Sequence, residues 1–327
     1  ARRGNGLAGI SWGYKALDRM TGGMMPSAMY LLGARPAMGK TALGLGIAIR
    51  SAAAGSSVLF WSGEMTAPQL GARAGAAYAG LSTQAVFTGR RYDVPEDAET
   101  GDRQVLSDWQ WRDLEAAERK AAQLSLEIDT QSRITVAKLR SRARRMARSK
   151  RGLDLIVIDY VGLMSAGSTY EDQRTYERIT KVSGQLKQLA TELNVPLVVL
   201  AQLNRETERR EDKRPMMSDL RDAGALEQDA DMIMLLHREH YYLKKQQDAG
   251  LTRKDREGTE EFANRVSDLA NRTEQAKGKA EVLIPKNRQG PEGTCRLHFK
   301  NETTWFRDIS EDERSPAWVV AVEDAHE

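Results

Sequence analysis

Short apolar runs alternate with longer segments of helical periodicity along most of the chain. The runs predict strands at residues 30–33, 58–62, 155–159, 197–201, 232–236 and 280–285, with a hairpin partner at 295–300. The run Leu155, Ile156, Val157 and Ile158 has no polar position, which is typical of a strand buried on both faces. The pattern therefore predicts an α/β fold with a mostly parallel central sheet flanked by helices.

Two segments interrupt this alternation. Residues 89–110 are polar and acidic, and residues 240–278 are highly charged. Both are interpreted as excursions from the sheet. We expect a linker or tail at 1–9, one large α/β domain at 10–306 and an acidic tail at 307–327.

Residues 133–151 form a basic stretch with nine Lys or Arg and no acid. Thr135 is a predicted helix N-cap, and Gly152 is the predicted end of that helix. The positions predicted to form its apolar face are Val136, Leu139, Ala143 and Met146. Two interpretations remain open: a surface that contacts phosphates or another subunit, and a solvated helix face.

Composition narrows the classes of function. The chain has 327 residues, with 49 basic and 46 acidic side chains, so any nucleic-acid binding must come from local patches. Cys295 is the sole cysteine, which excludes an internal disulfide and fits a reducing compartment such as the bacterial cytoplasm. The apolar runs are too short to span a bilayer, so no membrane partner is expected. The chain starts without methionine, which suggests an excised or processed fragment.

A candidate phosphate-binding loop lies between the first predicted strand and a helical segment. Its sequence is Ala34-Arg35-Pro36-Ala37-Met38-Gly39-Lys40-Thr41. Gly39 would let the backbone approach a phosphate, and the N–H groups that open the helix would point at the anion. Lys40 would be the point charge for the phosphates and Thr41 a Mg²⁺ ligand. The alternative is an ordinary strand–helix turn with a surface lysine.

Polar side chains follow three later strands, at the sheet edge where open α/β folds bind ligands. Glu64 is a candidate general base that polarises water, or a glutamate that favours a helix start. Asp159 ends an all-apolar strand, where a carboxylate is costly unless it meets a cation or a donor. Binding of Mg²⁺ would compensate that cost. Gln202 is a candidate sensor of a γ-phosphate, or a polar cap on the strand.

Two loops near the end of the chain carry further candidates. Residues 218–231 form a polar loop and a short helical start, which could contact a nucleic-acid backbone or be only a loop. Residues 286–293 join two strand-like runs. Arg288 there could reach another subunit's phosphate as an arginine finger, or belong to a basic turn.

Together these motifs closely resemble the C-terminal motor domain of DnaB-type replicative helicases, from about Ile10 to Phe299. The lead-in at residues 13–23 and the phosphate loop, with Ala34 in its first position, match that family. The family order also holds for the strings that contain Glu64, Asp159-Tyr160, Gln202-Leu203-Asn204-Arg205, Arg221 and Lys286-Asn287-Arg288. The resemblance implies a RecA-like P-loop NTPase fold for residues 10–306.

The resemblance also assigns roles to individual residues. ATP would be held by Ala37, Met38, Gly39, Lys40, Thr41, Ala42 and Arg73, the last of these near the base. Mg²⁺ would be held by Thr41 and Asp159. Catalysis would use Lys40, Glu64 and Gln202, together with Lys286 and Arg288 of a neighbouring subunit. Single-stranded DNA would meet Arg221, Asp222 and Gly224 in a central channel, beside a second channel loop near 167–178.

The function implied is an ATP-dependent replicative DNA helicase that translocates on single-stranded DNA and unwinds duplex as a hexameric ring. Single-stranded or forked DNA and identical subunits are the expected partners. Primase and a helicase loader are further expected partners of the family, although nothing in the sequence corresponds to its N-terminal domain and linker helix. Two alternatives remain: a RecA-like recombinase, and a nucleotide-gated DNA-binding ATPase that does not unwind.

Overall fold

The computed structural model describes residues 7–89, 106–165, 175–255 and 257–309, without the side chains of 175–176 and 221–223. The strands in these ranges are β1 Met29–Ala34, β2 Val58–Ser62, β3 Leu126–Asp129, β4 Leu155–Asp159, β5 Leu197–Gln202, β6 Met232–His237, β7 Lys279–Asn287, β8 Gly293–Lys300 and β9 Trp305–Arg307. The helices are α1 Lys15–Thr21, α2 Lys40–Ala53, α3 Ala67–Ala79, α4 Thr83–Thr88, α5 Asp108–Gln123, α6 Val136–Ala147, α7 Thr175–Leu193, α8 Gly224–Asp229, α9 Glu239–Ala249 and α10 Thr259–Ala276.

All these strands join one sheet in the order β3-β2-β4-β5-β1-β6-β7-β8-β9. The pairs from β3 to β6 are parallel, whereas β7, β8 and β9 each run antiparallel to the preceding strand. The predicted α/β architecture with a mostly parallel sheet is therefore confirmed. Because β7 reverses direction, it returns the chain to the end of the sheet at which the parallel strands begin.

The predicted strands all form, with ends extended by a few residues at most. The strands over 58–62 and 155–159 have the predicted bounds. Strands β3 and β9 were not predicted. β3 has four residues and is only partly buried at the sheet edge, and β9 has three residues, so neither presents a long apolar run.

Apolar side chains fill both sides of the sheet. On one side the core contains α2, which is buried from Ala42 to Ala52, and the strand residues Phe60 and Val157. On the other side the core contains Ile158 and Leu186, from β4 and α7. Because alternate residues of β4 enter opposite cores, its unbroken apolar sequence follows from burial on both faces. The result is a helix–sheet–helix sandwich.

The basic stretch at 133–151 contains α6. The side chain of Thr135 accepts a hydrogen bond from the Lys138 N–H, which confirms the predicted N-cap. The predicted end at Gly152 was wrong. The helix ends at Ala147, and Gly152, with φ 72°, closes a separate turn after it.

Three arginines of the same stretch form ion pairs within the chain. Arg142 pairs with Glu127 at 2.7 Å and with Asp129 at 2.8 Å. Arg140 and Arg144 both pair with Glu192, at 3.5 and 2.6 Å. These pairs join α6 to β3 and to α7. Part of the basic stretch is therefore structural, and exposed cations such as Arg145 and Arg148 remain available for a partner.

The described part of the excursion at 240–278 contains most of α9 and all of α10. These helices pack through Leu243, Leu269 and Ala276. The loop between them is held by Arg265, whose hydrogen bonds lower the pKa of Glu257 to about 2. The excursion at 89–110 and the acidic tail lie mostly outside the described residues. No helix in the described ranges is both long and apolar enough to cross a lipid bilayer.

Replacing Phe306 of β9 with alanine should destabilise the fold by about 3–5 kcal/mol, because a fully buried aromatic ring would leave a cavity. Denaturant unfolding monitored by circular dichroism would measure the change in free energy. Phe87→Ala is the matched control, since 55% of the Phe87 side chain is exposed and its removal should change stability little. Equal effects of the two substitutions would contradict the burial of Phe306 in the core.

Candidate active site

The phosphate loop joins β1 to α2 and rests on an aromatic floor. Ala37 and Gly39 have left-handed backbone conformations, with φ of 65° and 95°. A Cβ at position 39 would lie 2.9 Å from the ring of Phe306 and 3.3 Å from that of Phe299. These two rings pack together with centroids 4.6 Å apart. Glycine is therefore required at position 39 by both the backbone and the space below it.

Arg238, directly after β6, braces the loop from the side. Its guanidinium donates to the carbonyl of Ala37 at 3.2 Å and to Asn301 Oδ1 at 2.5 Å, and it lies 3.6 Å from the ring centroid of Phe299. Burial lowers the pKa of Arg238 to about 10. Arg238 was not among the predicted site residues. Its one signal was a polar position at the carboxyl end of a predicted strand.

Arg35, inside the loop sequence, does not face the phosphate position. It donates to the Leu203 carbonyl at 2.7 Å and forms two hydrogen bonds to Glu208 Oε1, at 3.0 and 2.6 Å. This arginine therefore ties the phosphate loop to the segment that follows β5. Glu208 was also missed, because its role depends on a contact between residues far apart in sequence.

Lys40 and Asp159 form a buried pair at the centre of the site. The Lys40 Nζ lies 3.7 Å from Asp159 Oδ1 and 4.0 Å from the ring centroid of Tyr160. Burial lowers the pKa of Lys40, and the carboxylates of Asp159 and Glu64 oppose that change. Burial raises the pKa of Asp159, and Lys40 and the nearby Thr41 hydroxyl oppose it. The pair joins the phosphate loop to β4 and so brings together two residues that the sequence analysis assigned to separate roles.

The Asp159 carboxylate is inaccessible to solvent, and within the described ranges neither of its oxygens accepts a hydrogen bond. A buried charge in this state is costly unless a cation compensates it. Lys40 supplies one cation, at the long limit of an ion pair. The oxygen atoms of Asp159 and Thr41 are of the type that Mg²⁺ prefers, so these residues fit the metal that the sequence predicted.

Glu64 is exposed and follows β2 beside Asp159. The Gly63 N–H donates to the Asp159 carbonyl at 2.7 Å, which fixes the two strand ends together. Helix α3 begins later and is capped by Thr66, so Glu64 lies outside its first turn. Stabilisation of a helix start therefore does not explain this carboxylate. An exposed acid beside a buried Lys–Asp pair is well placed to orient water.

Arg73 on α3 belongs to the same cluster. Burial lowers the pKa of Arg73, and the carboxylates of Asp159 and Glu64 oppose that change. Its Nε is buried and has no hydrogen-bond partner in the described part of the chain. The structure thus brings Arg73 to the two carboxylates, and its expected position near a nucleotide base stays a prediction.

Gln202 ends β5 one strand away from the phosphate loop. It is the register partner of Ala34, the last residue of β1, and its side chain is exposed. It lines a cleft of about 510 Å³ together with Arg178, Arg205 and Tyr160. The expected sensor therefore lies beside the loop, next to two cations that the sequence analysis did not single out.

Lys286 and Arg288 lie at the opposite end of the central strands from the phosphate loop. Because β7 is antiparallel to β6, Asn287 pairs with Met232, the first residue of β6. Lys40 instead follows the last residue of β1, which runs parallel to β6. A strand of six residues is about 20 Å long, so the two basic side chains are roughly that far from the Lys40 of their own chain.

The two basic side chains contact the end of α8. The Lys286 Nζ donates to the Glu227 carbonyl at 2.6 Å. The Arg288 guanidinium donates to the Gln228 carbonyl at 2.9 Å and lies 3.6 Å from Asp231 Oδ1. Cations interact favourably with the last carbonyl groups of a helix. These contacts hold both side chains in place against α8. The Arg288 side chain is 53% exposed and so accessible to a partner.

The predicted DNA loop leads directly into α8. A 3-10 helix, Met217–Ala223, precedes Gly224, the first residue of α8. The side chains of Arg221 and Asp222 lie outside the described residues, as does most of the second channel loop near 167–178. Gly224 has a right-handed helical backbone, and a Cβ there would meet nothing within 4 Å. The fold itself therefore does not require glycine at this position.

Comparisons with known proteins agree with this architecture. The family model described as DnaB-like helicase C terminal domain matches residues 9–308. The replicative DNA helicase DnaB of Pasteurella multocida is 36% identical over 308 residues, covering 94% of this chain and 57% of that protein. The DnaB of Geobacillus stearothermophilus is 34% identical over 304 residues, with 93% and 57% covered. The chain thus spans little more than half the length of these curated relatives.

Two solved structures share the fold at 30% sequence identity. One is described as an ATPase domain, with a TM-score of 0.75 over 94% of this chain and 93% of that one. The other is described as a DnaB-like replicative helicase and its interactions with primase, with a TM-score of 0.73 over 93% and 64%. The fold is therefore RecA-like, and the chain belongs to the DnaB-like helicase C-terminal domain family.

Proposed function

We propose that this chain is the ATP-hydrolysing motor of a replicative DNA helicase, which translocates on single-stranded DNA and unwinds duplex as a homo-hexameric ring. The observation that carries this proposal is that the candidate groups lie at the two opposite ends of the central strands. The phosphate loop and Asp159 lie at the carboxyl ends of the parallel strands, and Arg288 lies roughly one strand length away. A complete site would form only where one subunit meets the next.

The phosphate loop would bind ATP. The backbone N–H groups from Ala37 to Ala42 and the Lys40 ammonium would hold the phosphates. Thr41 and Asp159 would hold Mg²⁺, which when bound would neutralise charge on the phosphate oxygens. The orphaned, fully buried carboxylate of Asp159 supports this assignment.

Hydrolysis would use the groups around the γ-phosphate position. Glu64 would accept a proton from the attacking water, and Lys40 would stabilise the charge of the transferred group. Gln202 would donate to the γ-phosphate and lose that contact on hydrolysis, which would signal the state of the site. Lys286 and Arg288 of the neighbouring subunit would complete the site. Arg73 would contribute a further cation beside Asp159.

DNA would be held in the central channel by Arg221, Asp222 and Gly224, at the start of α8. Contacts to the phosphate backbone would make binding tolerant of sequence and sensitive to salt. The fold has no steric need for glycine at position 224, which fits a role in which the DNA backbone approaches the protein backbone closely. Primase and a helicase loader are proposed partners. The proposed location is the bacterial cytoplasm, where either a cellular protein or a phage protein would act. Family membership favours this helicase over the recombinase alternative.

The first test is ATP hydrolysis against protein concentration, with and without single-stranded DNA, followed by strand displacement on a fork. A rate per subunit that rises with concentration and with DNA, together with displacement, is expected. A rate that depends on neither would indicate a self-contained ATPase. DNA-stimulated hydrolysis without displacement would instead favour the non-unwinding alternative.

Arg288→Ala should reduce ATP hydrolysis by roughly 10³-fold or more, because an arginine finger contributes on that scale. Binding of a fluorescent ATP analogue should persist, since Arg288 is far from the phosphate loop of its own chain. Arg296→Ala is the matched control, because this exposed arginine of β8 lies outside the proposed machinery. Turnover near the wild-type level in Arg288→Ala would rule out the in-trans role.

Arg238→Gln should weaken binding of the same analogue by roughly tenfold or more, because the loop would lose a charged hydrogen-bond donor to Ala37. The measurement is a fluorescence titration at fixed Mg²⁺. Arg214→Gln is the control, since Arg214 pairs with Glu281 instead of the loop. Unchanged affinity in Arg238→Gln would show that the brace is dispensable.

A further inference from the structure

Asp231 directly precedes β6, at the end of the sheet that carries Arg288, and its carboxylate contacts three separate parts of the chain. It is 9% exposed. Its Oδ2 accepts hydrogen bonds from the Met29 N–H at 2.7 Å and from Lys187 Nζ at 2.5 Å. Its Oδ1 lies 3.6 Å from Arg288 Nη1. One carboxylate therefore joins β1, α7 and the finger arginine.

Backbone hydrogen bonds strengthen the same junction. The Asp231 N–H donates to the Met29 carbonyl at 2.8 Å, and the Arg288 N–H donates to the Asp231 carbonyl at 2.9 Å. Lys187 also donates to the Ser27 carbonyl at 3.2 Å, just before β1. Asp231 is therefore fixed on three sides, and it can restrict the direction in which the Arg288 guanidinium leaves the sheet.

We propose that Asp231 is a positioning residue for Arg288, which aims this finger at the nucleotide site of the adjacent subunit. This inference rests on the proposed in-trans role of Arg288. Asp231 touches neither ATP nor the reacting atoms, so it acts only through the arginine. Lys187 pairs with Oδ2 of the carboxylate, which leaves Oδ1 to attract the guanidinium 3.6 Å away.

The proposal predicts a specific kinetic defect. Asp231→Asn keeps an oxygen that can accept from the Met29 N–H and loses the charge that attracts Arg288. The kcat for ATP should fall roughly 10–100-fold, because small misplacements of catalytic groups cost about that much. The KM for ATP should change little, since the variant's own phosphate loop is intact. Asp154→Asn is the matched control, because Asp154 likewise directly precedes a parallel strand, β4, and accepts from the Ser57 N–H at 2.8 Å, on strands separated from β6 and β7 by β5 and β1.

Mixed assemblies separate a finger defect from general damage. Two variants are co-expressed with different tags and purified through both tags, so that only assemblies containing both are assayed with single-stranded DNA. Asp231→Asn with Lys40→Ala should hydrolyse ATP faster than the sum of the two variants alone, because Lys40→Ala subunits supply intact fingers to intact phosphate loops. Asp231→Asn with Arg288→Ala should show no gain, because both lack a working finger.

The opposite pattern would overturn the proposal. A gain with Arg288→Ala and none with Lys40→Ala would mean that the substitution damages the variant's own nucleotide site. The pair Lys40→Ala with Arg288→Ala tests the underlying function separately. If that pair shows no gain, or no assembly carries both tags, the in-trans finger fails, and the role of Asp231 fails with it.

A second variant covers the case in which Asp231→Asn does not fold. Lys187→Met removes the cation that orients the carboxylate and leaves Asp231 in place. It should give a smaller loss of kcat with the same complementation pattern. Wild-type kcat in a folded Lys187→Met would show that this anchoring is unnecessary and would contradict the proposal.

Discussion

The site depends on the electrostatic cost of burying the Asp159 carboxylate. This group lies at the carboxyl end of β4, away from solvent, and its oxygens accept no hydrogen bond in the described ranges, although Lys40 and Thr41 lie nearby. The cations Lys40 and Arg73 offset that cost, and burial weakens the charged state of each of them in turn. Such charges interact strongly because water is excluded. Under the proposed function, Mg²⁺ would compensate the charge of Asp159, and the phosphates would pair with Lys40.

The sheet could largely be predicted because its central strands are buried on both faces. Val157 and Ile158 enter opposite cores, so β4 could not alternate polar and apolar residues. The cap at Thr135 is a local interaction and was also predictable. By contrast, β9 has three residues, and its burial against the phosphate loop depends on contacts distant in sequence. No local pattern could reveal that role.

The same distinction divides the site. Lys40, Glu64, Asp159 and Gln202 were identified because each follows an apolar strand within a recognisable string. Arg238 supports the loop through Ala37, which is 201 positions away along the chain, and a single arginine after a strand has no motif. The candidate catalytic groups were thus visible in the sequence, whereas the groups that hold the loop in shape became visible only when the strands were placed side by side.

The topology gives β1 a function at both of its ends. Asp231 holds its first residue, Met29, and the phosphate loop follows its last residue, Ala34. A strand in the centre of a sheet is paired on both sides and moves as a rigid element, so a displacement at one end reaches the other. Under the proposed in-trans role, the Arg288 of each subunit would thereby be coupled mechanically to that subunit's own phosphate loop. In a ring, this arrangement would pass the state of one nucleotide site to the next without any need for a separate relay.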